Sequence, residues 1–233
     1  MYSPATHIAT EAAPFPATKA SLPLRTRAVS LLDSISRMIG KRWRRERRRR
    51  QVGRAFDMAM EVARLVPQQS QVLDVGCGHG YIAHHLSALM GKKVVGIDVG
   101  GRSAAPISYL RYDGAHFPAR DASVDVVLFC YVLHHTRDAF SVLREARRVL
   151  RDGGFVVVYE DMPLTLWDRA VCKGHDVQWR RRTGACTFRR PSEWRTVFEL
   201  AGFEVIRERT LSRWRNLTHP VSRSFYLLRL PGR

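Results

Sequence analysis

The feature that most constrains this chain is a short apolar segment that ends in an acidic residue and leads into a glycine-rich turn. Segment and turn together are residues 72–80, VLDVGCGHG. Glycine at every second position permits positive φ angles and lets a ligand approach the backbone where a Cβ atom would collide. The next residues predict a helix from about Tyr81 to Met90, whose first N–H groups would face that ligand. We therefore expect a strand–turn–helix unit that binds a nucleotide.

The spacing of the glycines indicates which kind of nucleotide. Rossmann-type dinucleotide sites use a Gly-x-Gly-x-x-Gly pattern, whereas this turn reads Gly76-x-Gly78-x-Gly80. Asp74, two residues before the turn, would repel a pyrophosphate and attract a cationic group. A glycine-rich turn by itself is also compatible with an ordinary tight turn. The choice therefore depends on the segments that follow.

Apolar segments recur after the predicted helix at intervals typical of alternating strands and helices. Residues 93–98 predict a second strand, and the acid at its end, Asp98, could accept hydrogen bonds from both hydroxyls of a ribose. Residues 107–114 predict a short third strand, which contains Asp113. The apolar run 123–133 is typical of a parallel strand that is buried on both faces.

Two histidines, His134 and His135, follow the fourth predicted strand directly. A histidine with a pKa near neutral could accept a proton from a substrate hydroxyl, so we consider these two as catalytic candidates. The alternative is that they are loop histidines that bond to the backbone. A reaction that positioning alone accelerates would need no dedicated base. Residues 144–150 predict a helix, and residues 155–160 a fifth strand.

Together these segments resemble the type 11 branch of the class I S-adenosylmethionine-dependent methyltransferases. The resemblance rests on the LDVGCGHG turn, on Val-Leu-His-His after the fourth strand and on Arg-Val-Leu-Arg-Asp-Gly-Gly before the fifth. It covers about Gln71 to Glu160 and continues more weakly over residues 194–203. It implies a doubly wound, mostly parallel α/β sheet of seven strands, with S-adenosylmethionine as cofactor and no metal.

The resemblance also implies roles for individual residues. Asp74 and the turn 76–80 would hold the methionine part of the cofactor, Asp98 the ribose and Asp113 the adenine amino group. The residues that we expect to bind the cofactor are Asp74, Gly76, Cys77, Gly78, Gly80, Asp98, Val99, Asp113, Gly114 and Cys130.

One segment departs from the family pattern. Only fourteen residues separate Asp98 from Asp113, and they include Gly100, Gly101 and Pro106, which disfavour a helix. The crossover helix that the family usually has there must be short or irregular. Either the adenine side of the pocket is more open than usual, or Asp113 is displaced from its expected place.

Composition and charge suggest three regions in the 233 residues. We expect a loose tail at residues 1–23, a basic amphipathic helical extension at 24–66 and the methyltransferase domain at 67–233. The net charge is +18, and about half of the excess lies in the extension. The extension could pack on the sheet or lie on an anionic membrane surface, and its arginines could instead reflect codon usage. We see no secretory signal and expect a cytoplasmic protein, with peripheral membrane association as an option.

The methyl acceptor is not specified by any motif. A small-molecule or lipid-like acceptor is our first hypothesis, an RNA acceptor held by the arginine-rich segments the second, and a non-catalytic binding module the third. Residues 161–191 form a long connection with several tryptophans and arginines, either a lid or a solvated loop. A helix that begins with Ser192 as its N-cap should follow.

Overall fold

The structure, a computed structural model, describes the backbone of residues 24–232 and the side chains of residues 36–232. The expected tail at residues 1–23 lies outside this range. The chain divides into two compact units, Met1–Arg49 and Arg50–Arg233. The division falls inside the first helix and well before the boundary at residue 66 that composition suggests. The physical reason is burial, because Ala59, Val62 and Val66 belong to the core of the second unit.

Helices and strands alternate along the second unit. In chain order the elements are α1 (Leu24–Ala63), β1 (Val72–Val75), α2 (Tyr81–Met90), β2 (Val95–Asp98), β3 (Ser108–Arg111), β4 (Val124–Cys130), α3 (Ala139–Val149), β5 (Leu150–Met162), α4 (Leu166–Thr183), α5 (Pro191–Leu200), β6 (Glu204–Leu211) and β7 (Ser222–Arg229). Short 3-10 turns cover Leu133–His135 and Arg213–Arg215.

The seven strands form one sheet in the order β3-β2-β1-β4-β5-β7-β6. Strands β1 to β5 pair in parallel, while β7 is antiparallel to both β5 and β6. The order reverses between β1 and β4, which is where ligands bind in open sheets of this kind. The predicted doubly wound, mostly parallel sheet is therefore confirmed.

Both faces of the sheet are covered, as the continuous apolar strands predict. One core contains Val142, Leu143 and Ala146 of α3 with Trp194 and Phe198 of α5. The other contains the end of α1 with Ala83 and Leu86 of α2. Tyr159 of β5 and Phe225 and Tyr226 of β7 are fully buried, as expected for core residues.

The sequence left the form of two connections open. Residues 99–107 contain no helix, in agreement with the short spacing and the glycines and proline there. Residues 161–191 are largely the helix α4 rather than a loop. Thr165 begins α4 with a reciprocal capping box to Asp168, a signal that the arginines and tryptophans of the segment obscured.

The start of α5 is also corrected. Its N-cap is Arg190, and Pro191 is the first helical residue, whereas we expected Ser192 as the cap. The backbone N–H of Arg190 donates to Glu193 Oε2 at 2.6 Å. The acid at the third helical position therefore stabilises this end of the helix, with no need of a serine cap.

Candidate active site

The glycine-rich turn passes between two neighbouring loops. Gly76 has φ +67°, and a Cβ atom there would lie 2.5 Å from Val132 Cγ2, in the loop after β4. A Cβ atom at Gly80 would lie 2.3 Å from Ser103 Oγ. Gly78, at φ +54°, faces open space, with no heavy atom of the described residues within 4 Å of an added Cβ. The two outer glycines therefore allow close packing, while the middle one leaves room for a ligand.

Asp74 lies beneath this turn with only 1% of its surface exposed. Its Oδ2 atom is buried and has no hydrogen-bond partner among the described residues. Burial, together with the charge of Asp98, raises the pKa of Asp74 to about 7, although a backbone hydrogen bond from Ala83 partly offsets this. A buried carboxylate oxygen without a partner needs an explanation, and a cationic ligand group would supply one.

Asp98, at the end of β2, connects the turn to the next loop. Its Oδ2 accepts from the backbone N–H of Gly78 at 2.8 Å, and its Oδ1 accepts from that of Gly100 at 2.7 Å. Each carboxylate oxygen keeps a further lone pair, so ribose hydroxyls could still bind. Val99 is half exposed, and a Cβ at Gly114 would lie 3.3 Å from Val99 Cγ1. The structure thus brings Gly114 and Val99 together at this edge.

Asp113 is exposed and is already engaged. Its Oδ1 accepts from the backbone N–H groups of Ala115 and His116 at 2.8 and 2.7 Å, and its Oδ2 lies 2.9 Å from His116 Nδ1. These hydrogen bonds, with the charge of His116, hold the pKa of Asp113 well below its usual range. Asp113 therefore stabilises the turn after β3, which makes it less available to an adenine than we expected.

Cys77 and Cys130 both lie close enough to Asp74 for its charge to act on their thiols. Cys77 is in the turn, and burial and the charges of Asp74 and Asp98 raise its pKa above the usual value. Cys130 ends β4, where burial and the charges of Asp74 and Glu160 raise the pKa of its thiol. Both thiols are thus protonated near neutral pH, so they could line a pocket but would be poor nucleophiles.

The loop after β4 begins with a strained residue. Tyr131 has φ +61°, which is uncommon for a residue with a Cβ atom and often marks a functional segment. The next two residues, Val132 and Leu133, donate their backbone N–H groups to Glu160 Oε1 at 3.2 and 2.7 Å. Glu160 is fully buried near the end of β5. It therefore joins the carboxyl ends of β4 and β5.

His134 is also bound by Glu160. Its Nδ1 lies 2.5 Å from Glu160 Oε2, and the whole side chain is buried. Burial alone would lower the pKa of His134, but the charge and hydrogen bond of Glu160 outweigh it and raise the pKa. The other ring nitrogen, Nε2, is buried without a hydrogen-bond partner among the described residues. One nitrogen is thus held by a carboxylate while the other stays available.

The side chain of His135 contacts residues other than Glu160. Its Nδ1 lies 3.1 Å from Thr183 Oγ1 and 3.3 Å from Cys186 Sγ, and its Nε2 lies 3.1 Å from His175 Nε2. Burial, together with the neighbouring His134, lowers the pKa of His135 to about 3 and that of His175 to about 4. Both rings are therefore neutral at pH 7. His175 belongs to α4, so this helix lies over the ends of β4 and β5.

Comparison with known proteins agrees with the cofactor side of this geometry. Residues 73–158 match the family model described as "Methyltransferase domain". This match agrees with the resemblance to the class I S-adenosylmethionine-dependent methyltransferases that the sequence motifs indicate. S-adenosylmethionine is thus the cofactor that the family implies, and its cationic amino group fits the unpaired carboxylate oxygen of Asp74.

Individual relatives match over the same part of the chain. A probable S-adenosylmethionine-dependent methyltransferase of Mycolicibacterium smegmatis is 39% identical over 94 residues, which are 37% of this chain and 36% of that protein. The 27-O-demethylrifamycin SV methyltransferase of Amycolatopsis mediterranei is 33% identical over 97 residues, 36% of each chain. The chain thus spans about a third of the length of these relatives.

A solved structure extends the fold match beyond this region. A methyltransferase of Methanosarcina mazei superposes with a TM-score of 0.61 at 17% identity, over 74% of this chain and 97% of that one. At this identity the match shows the fold alone. It agrees with the doubly wound, mostly parallel sheet described above.

Sequence reasoning did not identify several residues near the carboxyl ends of β4 and β5. Glu160 holds His134, and the neighbouring Asp161 pairs with His219 at 2.9 Å and with Arg223 at 3.0 Å. An acid pair at the end of an otherwise apolar strand was a usable signal. His175 carried no such signal, because its place depends on how α4 packs.

A cationic cleft lies elsewhere on the methyltransferase unit. It has a volume of about 620 Å³, and the last turns of α1, β6 and the turn after β6 line it. Arg64, Arg207, Arg209 and Arg215 contribute to its walls, and Glu61 pairs with two of them, Arg209 and Arg215. Separately, no helix within residues 24–232 combines the length and apolar character needed to span a membrane.

Proposed function

We propose that this protein transfers a methyl group from S-adenosylmethionine to a small-molecule or lipid-like acceptor. The observation that carries the proposal is the buried Oδ2 of Asp74, which has no hydrogen-bond partner among the described residues, together with the open space at Gly78 four residues further along the chain. A buried carboxylate is stable there when it meets a cation, and the family cofactor has one. The bound cofactor supplies an electrophilic methyl group on a sulfonium.

The chain's own residues would orient that cofactor. Asp74 would accept from its amino group, the turn 76–80 would pass along its methionine part, and Asp98 would accept from the ribose hydroxyls. Val99 and Gly114, in contact at the end of β2 and after β3, would border the adenine. Because Asp113 is bound within its own turn, we assign it a weaker role there.

The acceptor would bind at the carboxyl ends of β4 and β5. His134 and His135 lie there, and α4 covers them. Covering elements of this kind exclude water and suit an acceptor small enough to fit beneath them. The relative whose name specifies a demethylrifamycin methyltransferase supports a small acceptor.

Mass spectrometry of cells that express the active protein or its Asp98→Ala variant tests this proposal. We expect at least one metabolite or lipid to gain the mass of a methyl group with the active protein only. Asp152→Asn, a change at an exposed acid, serves as the control and should behave like the active protein. If cofactor binds but no methylated product forms in any extract, the chain is a binding module and the proposal is wrong.

A lipid-like acceptor has support from the first compact unit. Met38, Ile39 and Trp43 of α1 are all more than half exposed among arginines, and Arg47 lies over the ring of Trp43. Exposed apolar side chains beside arginines are typical of a helix that binds an anionic membrane surface. In sedimentation with anionic vesicles at low salt, the full chain should be found in the vesicle pellet. The Trp43→Ala variant should remain in the supernatant. Full solubility in both cases would remove the membrane argument.

RNA is the second candidate acceptor, and the cationic cleft favours it. Four arginines line this cleft, and phosphate groups bind such surfaces. If RNA is the substrate, its affinity should fall steeply with salt and should weaken in Arg207→Ala more than in the control Arg229→Ala. Methylation of RNA must accompany binding, because a basic protein also binds nucleic acid without specificity.

A further inference from the structure

Three histidines converge at the acceptor end of the domain. One ring nitrogen each of His134, His135 and His175 lies within 4.8 Å of the others. His135 Nε2 and His175 Nε2 lie 3.1 Å apart. Tetrahedral Zn²⁺ with Zn–N bonds of about 2.05 Å places two ligand nitrogens about 3.3 Å apart. The His135–His175 pair already has nearly that separation.

The outer contacts of His134 and His135 are those of metal ligands. His134 presents Nδ1 to the Glu160 carboxylate, which leaves the buried Nε2 as its free nitrogen. His135 presents Nδ1 to Thr183 Oγ1 and Cys186 Sγ, which leaves Nε2 toward His175. A ligating histidine almost always donates its second N–H to an oxygen in this way, most often to a carboxylate.

We propose that His134, His135 and His175 form a binding site for a divalent transition-metal ion such as Zn²⁺. Imidazole nitrogens suit this class of ion, and three histidines with a free fourth position are one known donor set. The site draws its ligands from the loop after β4 and from α4, so the ion would hold α4 to the sheet edge.

The position of the site suggests what its fourth ligand is. Val132 contacts the glycine turn at Gly76 and donates its backbone N–H to Glu160, which in turn holds His134. The metal site is thus one layer of side chains away from the cofactor turn. A donor atom of the methyl acceptor, such as a hydroxyl oxygen, would complete the coordination. This last step depends on the proposed function, whereas binding of the ion does not.

Metal titration of the full chain tests the site directly. The protein is stripped with a chelator, and Zn²⁺ alone is added in a calorimeter, with Co²⁺ as an optical probe of coordination. We expect one ion per chain and the visible absorption bands of four- or five-coordinate Co²⁺ with nitrogen ligands. His135→Gln and His175→Gln should each weaken Zn²⁺ binding at least tenfold, and Glu160→Gln should weaken it roughly ten- to hundredfold.

The controls separate the site from general effects. His84→Gln changes a histidine of α2 outside the cluster and should keep wild-type Zn²⁺ affinity. Thermal melts check that each variant folds. If the buried His134→Gln variant does not fold, the variants of the half-buried His135 and His175 decide the result. Equal Zn²⁺ affinity in the wild type, His135→Gln and His175→Gln would overturn the proposal, as would binding no tighter than millimolar.

A calorimetric titration with S-adenosylmethionine in the same variants keeps the two proposals distinct. Loss of Zn²⁺ binding with unchanged cofactor affinity would locate the ion at the histidines and away from the glycine turn. A wild type that binds Zn²⁺ through the histidines but no S-adenosylmethionine would leave the metal site in place and refute methyl transfer. A wild type that binds S-adenosylmethionine but binds no Zn²⁺ through the histidines would refute the metal site alone.

Discussion

The two ends of the candidate site are built in opposite ways. At the cofactor end, Asp74, the turn 76–80 and Asp98 come from one stretch of chain, and the ligand surface is largely backbone. At the acceptor end, His134, Glu160 and His175 come from the loop after β4, from β5 and from α4, and the surface is made of side chains. The first end is a local motif, whereas the second exists only after the sheet and α4 have packed.

The two ends also differ in which buried polar atom has no hydrogen-bond partner among the described residues. At the cofactor end a carboxylate oxygen is unpaired, which favours a cation. At the acceptor end an imidazole nitrogen is unpaired, and the histidine beside it is neutral at pH 7, which favours a metal ion or a proton donor. The two ends are therefore suited to chemically different ligands and can be tested separately.

The largest expected effect concerns Asp74. Asp74→Asn should weaken S-adenosylmethionine binding about a hundredfold, since the loss of a buried charge-assisted contact costs roughly 3 kcal/mol. Calorimetry measures this, with Asp152→Asn as a matched change at an exposed acid. An affinity within threefold of wild type would show that the carboxylate does not hold the cofactor.

Glu160 provides the corresponding test at the acceptor end. Glu160→Gln removes the charge that holds His134 and weakens the bonds from Val132 and Leu133. We expect kcat to fall roughly ten- to hundredfold and the free energy of unfolding to fall by about 1–3 kcal/mol, with cofactor Kd within about twofold of wild type. Glu204→Gln, at an exposed site on β6, is the control. A change in cofactor Kd as large as the change in kcat would mean that the two ends are not independent.

Variants of Asp98 and Asp113 compare the contributions of two acids to cofactor binding. Asp98→Ala should weaken cofactor binding about tenfold, because its carboxylate orients Gly78 and would accept from the ribose. Asp113→Ala should change the affinity less than about threefold, since its oxygens bond within the turn after β3. Calorimetric affinities that rank the two variants in the opposite order would restore Asp113 as the adenine contact.

A further expected effect is a dependence on pH through Asp74. Its pKa of about 7 in the folded, ligand-free chain lies above the ordinary value of 3.8, so between those pH values the folded state binds the extra proton. The free energy of unfolding should therefore decrease as the pH rises from about 4 to about 7, and Asp74→Asn should remove that decrease.

Cofactor binding should show the opposite trend. It requires ionised Asp74, so the affinity should decrease as the pH falls below 7, by at most about tenfold per pH unit. Denaturant melts and calorimetry across this range measure both trends. A cofactor affinity that does not change between pH 5 and 7 would contradict the role of Asp74.

Much of the fold could be predicted because its signals are short and periodic. The predicted helix Tyr81–Met90 agrees with the structure, and the apolar runs locate the parallel strands. The irregular crossover after β2 followed from its glycines and proline. The helix α4 was not predicted, because its capping signal at Thr165 stands in a segment rich in arginine and tryptophan.

The sequence by itself determined the strand–turn–helix unit, the acid beneath it and the family to which both point. These features lie within one stretch of chain, where spacing reports geometry directly. Only the tertiary structure decided that Asp113 is bound within its own turn, that Glu160 holds His134 and that His175 meets His135. Such contacts join residues far apart along the chain, and their formation depends on the packing of whole elements, which no local pattern encodes.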